Sequence, residues 1–215
     1  MNIIELKRLY RLRKGEIISR LNEFGCVLRK GARKSAQKDI FPELCFCLFT
    51  PQSKAKSCWE AVSILKNNKL LFSGEAQQIS EHLNKVRFKN NKARYVTESR
   101  KIMGELHKRL LDPKEQANTF ELRNWIVKNI KGIGYKEASH FLRNIGLGEN
   151  LAILDRHILK NMKALGVIKE IPTSITPKKY FEIEEKLKQF SKKIKIPISH
   201  LDLLFWSNET GEIFK

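Results

Sequence analysis

Residues 130–140 read IKGIGYKEASH, and how they fold decides the architecture. Apolar residues recur at helical spacing upstream, from Phe120 to Asn129, and again downstream, from Tyr135 to Asn144. The intervening Ile130 to Gly134 is short enough only for a tight turn. Gly132 and Gly134 suit positions where φ is positive or where backbone must approach a neighbour closely. The spacing therefore predicts a helix, a hairpin and a second helix. The first amide N–H groups of that second helix lack intrahelical acceptors, and such groups form a ready anion site. A glycine C-cap between two packed helices accounts for the same residues with no ligand at all.

Outward from the hairpin, almost every segment repeats its apolar residues with a period near 3.6, and strand-like alternation is scarce. Ile3, Leu6, Leu9 and Tyr10 share a face, followed by Ile17, Ile18, Leu21 and Phe24 after Gly15. Pro42 suits the first turn of a helix running through LCFCLF, with Pro51 ending it and Ser53 capping the next. A segment from about Asn90 to Leu111 precedes Asp112-Pro113, a cap-plus-N1 signal for a helix carrying Phe120, Trp125 and Ile126. Helices are also expected from Asp155 to Ala164, from Thr176-Pro177 to Phe190, and from about Pro197 to Glu209. The expected class is all-α.

Charge narrows the function. Lys and Arg number 42 against 23 Asp and Glu, a net charge of +19 on 215 residues. So large an excess points to a polyanionic partner, nucleic acid above all. The four cysteines, Cys26, Cys45, Cys47 and Cys58, contain no CxxC pair, and none lies in the C-terminal half. A zinc site or iron–sulfur cluster is therefore not expected, and Cys45 and Cys47 read as packed thiols. No apolar run is long enough for a membrane span, and the N-terminus turns charged too soon for a secretory leader. A cytoplasmic, nucleoid-associated monomer is expected.

Lys136 and Asp155 carry the chemistry. Asp155, nineteen residues beyond Lys136, precedes a helix as its N-cap, and capping alone would justify it. Lys136 has no such excuse, because the helix macrodipole disfavours a cation in the first turn. A neutral amine is a nucleophile suited to Schiff-base chemistry, and a nearby carboxylate can stabilise a cationic transition state or carry protons.

IKGIGYKEASHFLRNIG followed by AILDRH resembles the helix-hairpin-helix and catalytic aspartate signature of the base-excision DNA glycosylase superfamily. A lysine at position 136 is the pattern of its bifunctional glycosylase/lyases. The N-terminal helices, FCLFTPQS and the closing LDLLFWSNETGEIFK resemble the archaeal-type, or type 2, 8-oxoguanine DNA glycosylase/lyases in particular. This resemblance implies two helical domains, 41–144 and 1–40 plus 145–215, with the site in the cleft between them. It implies that Lys136 attacks C1′ of a flipped nucleotide, that Asp155 assists, and that β-elimination then nicks the strand without a cofactor or metal. The partner is duplex DNA containing 8-oxoguanine. By the same resemblance Phe88 and Trp206 clamp the base, Asp202 is a pocket carboxylate, and Lys215 contacts the modified base.

Flipping a base costs a few kcal/mol of unstacking and leaves a void in the duplex. Gln52, in the corner PQS, is a candidate to fill it, since an amide both donates and accepts; a polar loop residue near a helix start is an equal reading. Gly132 and Gly134, with Lys131, would hold phosphate. Lys54, Lys56 and the KNNKARY segment would do so too, unless they are simply solvated surface. His140 and His157 read as structural, and His82 and His107 lack ligand-like neighbours. Two alternatives stand beside this reading: a relative acting on oxidised pyrimidines or mismatched adenine, and a non-catalytic hairpin module. The missing four-cysteine cluster argues against the first, and Lys136 paired with Asp155 against the second.

Overall fold

The computed structural model describes residues 1–31 and 37–215, and every regular element among them is helical. In chain order these are α1 (Ile3–Gly31), α2 (Gln37–Phe49), α3 (Ala55–Asn67), α4 (Leu70–Ser73), α5 (Ala76–Glu81) and α6 (Lys89–Leu111). They continue with α7 (Pro113–Ala117), α8 (Thr119–Asn129), α9 (Tyr135–Asn144), α10 (Arg156–Ala164), α11 (Pro177–Ile194) and α12 (Ile198–Thr210).

Several helix starts follow the capping chemistry. The side chains of Asp112, Asn118, Asp155 and Thr176 each accept a backbone N–H of the helix that follows. Other expectations need correction. Asp112-Pro113 opens only the short α7, and Asn118 caps a separate helix bearing Phe120, Trp125 and Ile126. Ser53 does not cap α3, whose N-cap is Lys54. Pro42 lies inside α2 rather than in its first turn. Proline there costs about 3 kcal/mol. Every residue from Ile40 to Phe49 is buried, and each large apolar side chain contributes about 1.5–3 kcal/mol, so burial outweighs the defect. Gly15 leaves α1 continuous. Within it Leu6, Ile17 and Phe24 face the interior, whereas Ile3 and Ile18 are exposed.

The buried residues form two cores. The first is built on α2, whose Leu44, Phe46, Leu48 and Phe49 pack with Val62 and Leu65 of α3, Val96 and Leu106 of α6, and Phe141 and Leu142 of α9. Cys45, Cys47 and Cys58 are free thiols buried within it, in keeping with packed cysteines. The second core joins Leu6, Ile17 and Phe24 of α1 to Ile158, Leu187, Leu201 and Leu204 of α10 to α12.

A buried ion pair holds the two together beside the hairpin. Arg123 of α8 meets Glu184 of α11 through paired bonds of 2.7 and 2.8 Å, with both side chains almost fully buried. The rings of Phe120, Tyr135, Tyr180 and Phe181 surround the guanidinium. Arg123 also donates to the Ser139 hydroxyl on α9, and Glu184 accepts the Ala152 N–H. Removing one member would strand the other charge in the interior at about 3–5 kcal/mol, so each side chain requires the other. The pair joins α9, which carries Lys136, to the non-helical segment that leads into Asp155.

Candidate active site

The hairpin between α8 and α9 depends on its first glycine. Gly132 has φ 86°, and a Cβ there would stand 2.3 Å from a ring carbon of Tyr95. Gly134 departs from the expectation of positive φ. It is extended, with φ −99° and ψ −176°, and serves as N-cap of α9 with no side chain over the helix end. A Cβ at Gly134 would crowd the Glu137 carboxylate at 3.2 Å. The opening amides of α9 are thus left without a side-chain cap, the condition for an anion site. Lys131 stands exposed at the tip, with its amine 3.8 Å from Glu98.

Lys136 occupies the first turn of α9, and its half-buried side chain crosses to the end of α2. Its Nζ lies 3.5 Å from the Thr50 hydroxyl and 3.4 Å from the Glu137 carboxylate. Asp155 is the N-cap of α10, and one of its oxygens, Oδ1, accepts the N–H groups of both His157 (2.8 Å) and Ile158 (2.9 Å). One oxygen therefore does all the capping, and Oδ2 is spared. The charges of Lys136 and Asp155 both act on the carboxyl of Asp202, which places the three groups in one electrostatic neighbourhood.

Asp202 is buried on α12, 3.3 Å from the Arg143 guanidinium. Burial pushes its carboxyl up to about 6; Arg143 opposes the shift, Asp155 adds to it and Lys136 opposes it. An unfolded aspartate titrates near about 3.9. Between those values the folded chain keeps a proton that the unfolded chain has lost. This group's contribution to stability therefore falls as pH rises from about 4 to about 6. Asp202→Asn is expected to remove that slope, seen as a Tm difference from wild type that changes across this window and is level above it. Parallel Tm curves would count against the assignment.

Trp206, one turn beyond Asp202, is half-buried with its ring against Phe214 at 6.1 Å. Phe88 precedes α6 with φ 58°; the residue is 54% exposed, with the Arg87 guanidinium 5.5 Å from the ring. The ring neighbours seen for Phe88 and Trp206 are thus Arg87 and Phe214, not each other. Gln52 is exposed and also left-handed, at φ 54°. Lys215 turns inward: its amine contacts Glu43 at 2.5 Å and lies over the Trp59 ring at 3.7 Å. Asn144 donates to the other Glu43 oxygen, so Glu43 ties the last residue to α9.

Sequence reasoning missed Glu137, Thr50, Glu43 and Arg143. The register of α9 held a clue to one of them, because Arg143 lies two turns from Lys136 on the same face. Lys92, within KNNKARY, is not a surface phosphate contact, since it is buried. His140, read as structural, is buried within α9 with its ring packed edge-on to Phe46.

Comparison with known proteins agrees with this geometry. A family model for 8-oxoguanine DNA glycosylase matches residues 4–196. An 8-oxoguanine DNA glycosylase/AP lyase of Fusobacterium nucleatum is 48% identical, over 98% of this chain and 96% of that protein. The crystal structure of the 8-oxoguanine DNA glycosylase of Thermotoga maritima superposes with a TM-score of 0.85 at 33% identity, covering 99% of this chain and 98% of that one. The Methanocaldococcus jannaschii 8-oxoguanine glycosylase/lyase, solved with a 15mer DNA containing 8-oxoguanine, gives a TM-score of 0.85 at 30% identity, covering 99% of this chain and all of the other. On motif, architecture and near-complete alignment alike, the chain belongs to the 8-oxoguanine DNA glycosylase family.

Proposed function

We propose that this chain excises 8-oxoguanine from duplex DNA and nicks the strand, with Lys136 as nucleophile and Asp155 as its carboxylate partner. The observation that carries the reading is the setting of Lys136. A lysine amine in the first turn of a glycine-hairpin helix is held at 3.4–3.5 Å by Thr50 and Glu137, and Asp155 and Asp202 share its surroundings.

In the first step the amine lone pair forms a bond to C1′ as the glycosidic C–N bond breaks. The departing base takes that electron pair and is later protonated. The nitrogen loses a proton to a carboxylate, and Asp155, through the oxygen free of capping, stabilises the positive charge that develops on the sugar. Opening of the sugar ring leaves an imine between Lys136 and C1′. Removal of a C2′ proton then expels the 3′ phosphate oxygen, and water hydrolyses the imine. The capless start of α9 and the exposed Lys131 would hold backbone phosphate during these steps.

For the remaining assignments, Phe88 and Trp206 would clamp the flipped base, with Asp202 and Lys215 lining its pocket and Gln52 entering the vacated stack. The division into bodies 41–144 and 1–40 plus 145–215, of which 32–36 lie outside the described residues, is supported by the presence of two cores, although Ile40, Ile145 and Leu151 belong to the first; in that division Lys136 and Asp155 come from opposite sides. None of the helices formed by the described residues is long and apolar enough to cross a membrane. Cytoplasmic action on the nucleoid as a monomer fits the net charge of +19.

Borohydride trapping on duplexes carrying 8-oxoguanine, thymine glycol, uracil or no lesion tests the reading. A covalent adduct is expected on the 8-oxoguanine duplex. An equal or stronger adduct on thymine glycol would instead favour the oxidised-pyrimidine relative.

A further inference from the structure

Lys92 is 3% exposed on the inner face of α6, and no step described so far uses it. Its amine donates to the Phe49 carbonyl at 2.7 Å, the Pro51 carbonyl at 2.7 Å and the Ser53 hydroxyl at 3.2 Å. An ammonium has three N–H bonds, and here each has an acceptor. The Ser53 oxygen also accepts the Arg87 N–H at 3.0 Å, and the Cys58 thiol donates to the Phe49 carbonyl at 3.2 Å. The amine thus ties α6 to the end of α2 and the turn after it, and Ser53 ties that turn to the one before α6.

Both turns carry strained backbone. Gln52 in one and Phe88 in the other are non-glycine residues with positive φ, and both present their side chains to solvent. Left-handed backbone is unfavourable for L residues, and neither side chain is packed well enough to compensate. Taking a lysine out of water is unfavourable too: burial draws the Lys92 amine down to about 8. Carbonyls in an ordinary surface turn could be left to water. Here a buried amine and the Ser53 hydroxyl instead join the turns that bear the two exposed side chains, and the same turn offers Thr50 to Lys136.

We propose that Lys92 is a positioning residue for base excision, fixing the two turns so that Gln52 enters the duplex while Phe88 receives the extruded base. The inference rests on the glycosylase reading and on the roles assigned to Gln52 and Phe88. Lys92 itself touches no DNA. It acts by rigidity: a wedge and a stacking platform on mobile turns would lose the geometry that base extrusion requires.

A double-mutant cycle on the full chain tests this, read as the single-turnover rate of 8-oxoguanine release from duplex DNA. Circular dichroism identifies a temperature at which every variant is folded. Lys92→Met, which keeps volume and removes the donors, is expected to slow release about 30-fold in the wild-type background. In a Gln52→Ala/Phe88→Ala background the same change is expected to slow it by less than about threefold, because the groups it positions are gone. A merely structural lysine would lower Tm and leave the two effects equal. Equal effects in both backgrounds, or no slowing in the first, overturn the proposal. If Lys92→Met does not fold, Ser53→Ala removes the node shared with Arg87, and the same cycle built on it supports or overturns the proposal by the same comparison. A wild-type chain that releases no 8-oxoguanine would remove the function and this inference together, whereas additivity with an active wild type removes only the inference.

Discussion

Lys136→Gln is expected to abolish the borohydride-trapped adduct and to slow 8-oxoguanine release by about 10⁴-fold or more, because the bond to C1′ then has no attacking nitrogen. Stability should hardly change. The lysine stands where the helix dipole opposes its charge, and its contacts with Thr50 and Glu137 are long ones at 3.5 and 3.4 Å. Gln is polar and fills most of the space of the half-buried lysine side chain. Loss of trapping with an unchanged Tm would place the effect in the chemistry. A persistent adduct would mean that another amine, such as Lys92 or Lys215, is the nucleophile.

Asp155→Asn separates two roles that the sequence left entangled. Asparagine is as good an N-cap as aspartate, and the capping is done by one oxygen that accepts both N–H groups. The amide oxygen can take that place, and only the charge is lost. Turnover should fall by about 10³-fold, the scale on which a single electrostatic contact to a transition state acts, while Tm stays near wild type. Asp155→Ala should lose the cap as well, at about 1 kcal/mol. An Asn variant with full rate would make Asp155 a cap and nothing more.

Much of the helical plan was legible because its signals are local. Thr176-Pro177 marks the start of α11, Asp155 that of α10, and Gly134 that of α9, each within a few residues of the helix it controls. The helices that escaped notice, α4 and α5, are too short to show a period. The site was half legible for the same reason. Lys136 and Asp155, the proposed pair, each sit at a local signal, the first turn of α9 and the N-cap of α10. Lys92 looked like one basic residue among several, since its acceptors lie some forty positions away in the chain. Glu43 gave no sign of meeting Lys215 across nearly the whole length of the sequence. Nothing in KVRFKNN announces a left-handed phenylalanine, since L residues other than glycine rarely take that conformation. Gly134 misled in the opposite direction: its lack of a side chain serves the space beside Glu137 rather than an unusual φ.

The second core has a consequence for how the molecule is made. It joins α1 to α10, α11 and α12, with the entire first core inserted between them. During synthesis the inserted unit can condense on contacts close in sequence, whereas the apolar stripe of Leu6, Ile17 and Phe24 must wait for partners not yet translated. The delay also imposes an order on activity. The half that carries Lys136, the proposed nucleophile, forms early and the half that carries Asp155 and Asp202 forms last, so on the proposed mechanism a partly made chain that meets DNA lacks the means to cut it.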